Sequence, residues 1–63
     1  MKLWIARDPN DALWLFEKRP TYYEGVKGWG CMYGEKFNEI NYNYFPEVTF
    51  ENSPQEVELK LVQ

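Results

Sequence analysis

The chain has no histidine and a single cysteine, Cys31. Without imidazole, the Ser–His–Asp and Cys–His arrangements of nucleophilic catalysis cannot be assembled. With one thiol, no disulfide can close within the chain. A structural zinc site would lack its customary donors. Long apolar runs are also missing: nothing approaches the ~20 residues of a membrane-spanning helix. The opening MKLWIARD meets a charge pair too early for a secretory leader. No segment keeps a helical period beyond one or two turns. We therefore expect a protein that is not an enzyme, carries no metal or other cofactor and meets no membrane. A free thiol suits the reducing cytoplasm.

Positive charge is scarce in the second half. Residues 1–36 carry six basic and five acidic groups, whereas residues 37–63 carry five acidic groups and only Lys60. An acidic half repels phosphate and makes nucleic acid an unfavoured partner. What the chain has in abundance is aromatic rings, 12 in 63 residues. That length is one domain, 1–63, and such a chain buries only about 60% of its unfolded surface. Bulky rings and self-association are the remaining sources of stability.

Residues 2–18, KLWIARDPNDALWLFEK, read as a β-hairpin. Asp8, Pro9 and Asn10 suit successive positions of a type I turn, and Asp11 tolerates the left-handed residue that follows. That loop pairs Asp8 with Ala12, and hence Arg7 with Leu13, Ala6 with Trp14, Ile5 with Leu15 and Trp4 with Phe16. Alternation puts Trp4, Ala6, Trp14 and Phe16 on one face. Leu3, Ile5, Leu13 and Leu15 share the other, with Arg7 and Glu17 at its ends. Neither face is polar, so both must be covered.

Pro20 ends the second strand. Residues 21–28 read as a loop, 29–34 as a strand bearing Trp29, Cys31 and Tyr33, and 36–41 as a short return strand. Residues 42–48 read as irregular with at most one helical turn, and 48–51 as a short strand with Val48 and Phe50 inward. In EVELKLV, 56–62, the residues Val57, Leu59 and Leu61 form an aliphatic stripe opposite Glu56, Glu58 and Lys60. The fold class is all-β: a small antiparallel sheet or partly open barrel of about five short strands.

LWIARD with LWLFEKRP, then FPEVTFENSP ahead of EVELKL, resembles a group of small uncharacterised β-rich proteins associated with gut Bacteroidetes and their mobile elements. The likeness spans nearly the whole chain and loosens over TYYEGVKGWGCMYGEK. Members of that group favour an Asp-Gly turn after the first strand, where this chain has Asn10, Asp11 and Ala12. The resemblance implies a small β-rich fold and no particular activity.

No catalytic constellation stands out. Cys31, among Trp29, Gly30, Met32 and Tyr33, reads as a small buried hydrophobe rather than a reactive thiol. Glu56 with Glu58, and Glu47 with Glu51, read as solvated faces that discourage edge pairing. Residues 25–30, GVKGWG, lack the spacing and following helix of a phosphate loop. The leading reading is a non-catalytic interaction module, a homodimer joined through Trp4, Trp14 and Phe16, since interface cores are rich in aromatics. Within one chain, residues 19–34 compete with the second copy as cover for those rings. The alternative is a monomeric SH3-like or OB-like barrel. It would bind a peptide, an unidentified protein or single-stranded nucleic acid through Lys18, Arg19, Tyr22, Tyr23, Lys27 and Trp29.

Overall fold

The computed structural model describes residues 2–31, 37–58 and 60. Within them run six short strands: β1 (Lys2–Arg7), β2 (Leu13–Phe16), β3 (Thr21–Tyr23), β4 (Gly28–Gly30), β5 (Phe37–Ile40) and β6 (Gln55–Glu58). Four form an antiparallel sheet in the order β5-β2-β1-β6, and β3 with β4 forms a separate hairpin. Among the described residues there is no helix and no closure into a barrel, so the SH3-like or OB-like alternative is not the architecture found.

The first hairpin has the predicted register. Trp4 faces Phe16, Ile5 faces Leu15, Ala6 faces Trp14 and Arg7 faces Leu13. The turn sets it: Asp11 N donates to Asp8 O at 2.9 Å, Asp8 N donates to Ala12 O at 2.8 Å, and Asp11 takes a φ of 78°. Asn10 Oδ1 accepts from Ala12 N as well. β1 and β2 are the central strands of the sheet, the position their two apolar faces demand.

The aliphatic face packs on its own chain. Ile5, Leu13 and Val48 are its buried centre, with Leu15, Ile40 and Val57 against them. Full burial of side chains such as Ile5 and Leu13 contributes about 1.5–3 kcal/mol each. Leu3 faces Val57 across β1 and β6. Leu59 and Leu61 of the predicted stripe lie outside the described residues.

The aromatic face is covered too. Ala6 and Phe16 are both 0% exposed within the single chain. The chain from Arg19 to Gly30 returns over this face. The Arg19 guanidinium lies 5.0 Å from the Trp4 ring centroid, and the Trp29 indole N–H donates to Arg7 O at 3.0 Å. Segment 41–53 covers the opposite face, and the two covers meet at Phe50, 5.2 Å from Tyr22 and 6.5 Å from Trp29 between ring centroids.

Three segments differ from the sequence reading. Residues 21–28 are not a plain loop: β3 pairs with β4 across the Glu24–Lys27 turn, closed by Lys27 N donating to Glu24 O. The strand expected over 29–34 is confined to Gly28–Gly30, and Met32, Tyr33 and Gly34 lie outside the described residues. Residues 48–51 form no strand, because local side-chain bonds fold them into a turn.

Candidate functional site

Alternation puts Arg7 on the aliphatic face, beside Leu13, at the edge of the core. A charged group there must be satisfied or it destabilises the fold. Arg7 is 6% exposed, and its five N–H groups have five acceptors, all backbone carbonyls. Nε donates to Val48 O at 2.6 Å. Nη1 donates to Asp11 O at 2.9 Å and Tyr42 O at 3.1 Å. Nη2 donates to Tyr44 O and Phe45 O, both at 3.1 Å. The Asp11 carboxylate is 3.6 Å from Nη1 but 72% exposed, so solvent screens that ion pair and the carbonyls do most of the holding.

The carbonyls converge because segment 41–53 is folded by its own polar side chains. Asn41 Oδ1 accepts from Asn43 N at 2.8 Å, and Tyr44 N closes the turn onto Asn41 O at 3.0 Å. Pro46 then sits second in the Phe45–Val48 turn, closed by Val48 N donating to Phe45 O at 2.9 Å. Further on, Thr49 and Asn52 cap one another: Thr49 N donates to Asn52 Oδ1 at 2.8 Å and Asn52 N to Thr49 Oγ1 at 3.2 Å. Ser53 Oγ accepts from Arg7 N at 2.8 Å and donates to Thr49 O, tying the segment to β1.

Carbonyls turned inward leave side chains pointing out. Tyr42 is 60% exposed, Tyr44 61% and Phe45 43%. Phe45 also holds a φ of 52°, a left-handed backbone uncommon for a bulky residue. Sequence reasoning passed over Arg7 as a strand-end charge and over 42–45 as irregular chain. The legible signals were the inward parity of Arg7 and the Asn-Tyr alternation of residues 41–44, a composition found in binding loops.

The predicted site residues are dispersed. Phe16 is fully buried in its own chain and has no surface to offer a partner. Trp4 and Trp14 are half-buried. The Trp14 indole N–H donates to Asp8 Oδ2 at 3.0 Å, and Asp8 Oδ1 accepts from Trp29 N at 2.9 Å. Asp8 thus clamps the first hairpin to β4. Of the residues of the 18–29 ligand stretch, Lys18, Arg19 and Lys27 are exposed, and Tyr22, Tyr23 and Trp29 are half-buried. The Tyr22 and Trp29 rings meet edge-on at 5.4 Å and both contact Phe50. Burial pushes the Tyr22 phenol above its ordinary value of 10.0, with the carboxylates of Glu24 and then Asp8 adding to the rise. Cys31 is partly buried.

Two open hollows flank Tyr42. One, about 660 Å³, is lined by Asn10, Asp11, Glu39 and Ile40 among others, and the other, about 430 Å³, by Asp8, Asp11, Phe50 and Glu51 among others. Asp11 and Tyr42 line both and form the ridge between them. Among the described residues, Arg7 is the one cation in these linings, and its N–H groups already face carbonyls. Among the described residues, no group of three or more metal-ligating side chains occurs and no helix is long and apolar enough to cross a membrane.

Fold and surface define a small all-β protein: a four-stranded antiparallel sheet with a β-hairpin over one face and an arginine-pinned aromatic loop on the other. Comparison with known proteins finds no matching family model, no matching curated protein and no matching solved structure.

Proposed function

We propose that the protein is a small non-catalytic interaction module whose contact surface is the loop bearing Tyr42, Tyr44 and Phe45. The observation that carries this reading is Phe45, a bulky ring held at a φ of 52° and left 43% exposed. Such a backbone costs about 1–3 kcal/mol, and it sets the ring on the surface rather than in the core. A loop pinned by four hydrogen bonds from Arg7 also loses little conformational entropy when a partner docks. The non-catalytic part rests on the lack of histidine, which removes the commonest general base. A single cysteine favours the cytoplasm as the working compartment.

Serine at all three ring positions tests the reading. The Tyr42→Ser/Tyr44→Ser/Phe45→Ser variant should unfold within about 1 kcal/mol of the wild type, as surface substitutions do. A much larger loss would make the rings part of the fold and end the proposal. Self-association is the second reading, favoured by the edge positions of β5 and β6 among the described strands and by the half-buried Trp4 and Trp14. Sedimentation of the wild type and of Trp4→Glu, from micromolar to millimolar concentration, decides it. A dimer lost in Trp4→Glu supports self-association through the hairpin, and a monomer throughout excludes it.

A further inference from the structure

Resting on the contact-loop reading above, we infer that this surface takes a basic peptide segment, an arginine or lysine side chain of which seats beside the Tyr42 ring between Asp11 and Glu39. Three observations converge. Tyr42 is 60% exposed and stands between two hollows, so a ring face is open to a cation. Among the described residues, the hollows are lined by Asp8, Asp11, Glu39 and Glu51, with no cation besides the engaged Arg7. Asp11 is 72% exposed despite its contact with Arg7, so its charge is available to a partner. Tyr44 and Phe45, exposed on the same pinned loop, extend the contact along a peptide chain.

Charge disfavours the competing occupants. A second copy docked about a two-fold axis would bring this acidic patch against the same acidic patch of its partner. A nucleic acid would bring phosphates to the same carboxylates. A guanidinium or ammonium gains both the ring face and the carboxylates, and its attraction should fall as salt rises.

The test is an NMR titration of the isotope-labelled wild type with three synthetic heptapeptides: alternating arginine and serine, alternating glutamate and serine, and an uncharged proline-rich sequence. The arginine peptide should shift the amides of Asp11, Glu39 and Tyr42 in a saturable way, and the glutamate peptide should not. The Asp11→Asn/Glu39→Gln variant should weaken that binding roughly tenfold. Asparagine tolerates the left-handed backbone at position 11, so the fold should persist. Should the variant nonetheless unfold, the salt dependence of the wild-type titration serves instead, and salt-independent binding counts against the inference. Shifts spread evenly over Glu56, Glu58 and the rest of the surface would overturn it as unspecific charge attraction. If the proline-rich peptide or a second copy maps to residues 42–45 while the arginine peptide does not, the basic-partner inference falls and the contact loop stands. If every peptide leaves residues 42–45 unmoved, the inference falls. The contact-loop reading is judged separately, by the serine variant.

Discussion

Replacing Arg7 by methionine keeps most of the side-chain volume and removes the donors. Five carbonyls then lose the guanidinium: Val48, Asp11, Tyr42, Tyr44 and Phe45, the last keeping its turn bond from Val48 N. The bond to Val48 is buried, and losing a charged donor there costs about 1.5–3 kcal/mol. The other four are part-buried and water can reach their carbonyls, so each contributes about 0.5 kcal/mol. The ion pair with exposed Asp11 adds little. The total is about 3.5–5 kcal/mol, against a whole stability of about 3–9 kcal/mol for a domain of this size. Urea unfolding followed by tryptophan fluorescence should place Arg7→Met close to unfolded at room temperature. Arg7→Lys retains the charge but has three donors and no planar fork, and should fall between methionine and wild type. If Arg7→Met unfolds within about 1 kcal/mol of wild type, the carbonyl cage is not what holds segment 41–53.

Phe16→Ala should cost about 3–5 kcal/mol, because the ring is fully buried. Phe45→Gly should stay within about 1 kcal/mol, since glycine relieves the left-handed backbone while the exposed ring is lost; equal losses in the two variants would contradict the assignment of core and surface. Asp8→Ala strips the acceptor from the Trp14 indole and the Trp29 backbone N–H and should cost about 2–3 kcal/mol by thermal melting. An unchanged melt would mean that the second hairpin is held otherwise. The folded state holds the Tyr22 proton more tightly than the unfolded one, so the stability this gives is intact below pH 10.0 and disappears as pH climbs through the raised folded value. Tyr22→Phe should flatten that alkaline fall in a pH series of melts, and a fall as steep as that of the wild type would contradict the shift.

The first hairpin was legible to the residue because two independent signals agree. Turn chemistry at Asp8–Asp11 sets the loop length, and alternation then assigns both faces. The aliphatic face packs on its own chain, with Val57 of the aliphatic stripe against it. The cover of the aromatic face was harder to see. Tyr22, Tyr23 and Trp29 pair as short strands across Glu24–Lys27, a turn with none of the strong two-residue hairpin signals. Val48 and Phe50 misled as alternating strand residues. Their inward placement is real, but Thr49 and Asn52 bond to each other's backbone N–H and bend the chain between strands. Arg7 and the ring-bearing loop were missed because the need they answer is non-local: the carbonyls it holds at residues 42–48 lie at least 35 positions away in the sequence.

The chain has two arginines, Arg7 and Arg19, and they provide their own internal comparison. The side-chain Nε–H signals of both should be recorded by NMR at neutral pH, with solvent exchange measured for each. The Arg7 signal should be sharp and slow to exchange, with a scalar coupling through the hydrogen bond to the Val48 carbonyl, while that of exposed Arg19 exchanges rapidly. An Arg7 Nε–H that exchanges as fast as that of Arg19, with no coupling to Val48, would contradict the pinned loop and the contact surface built on it.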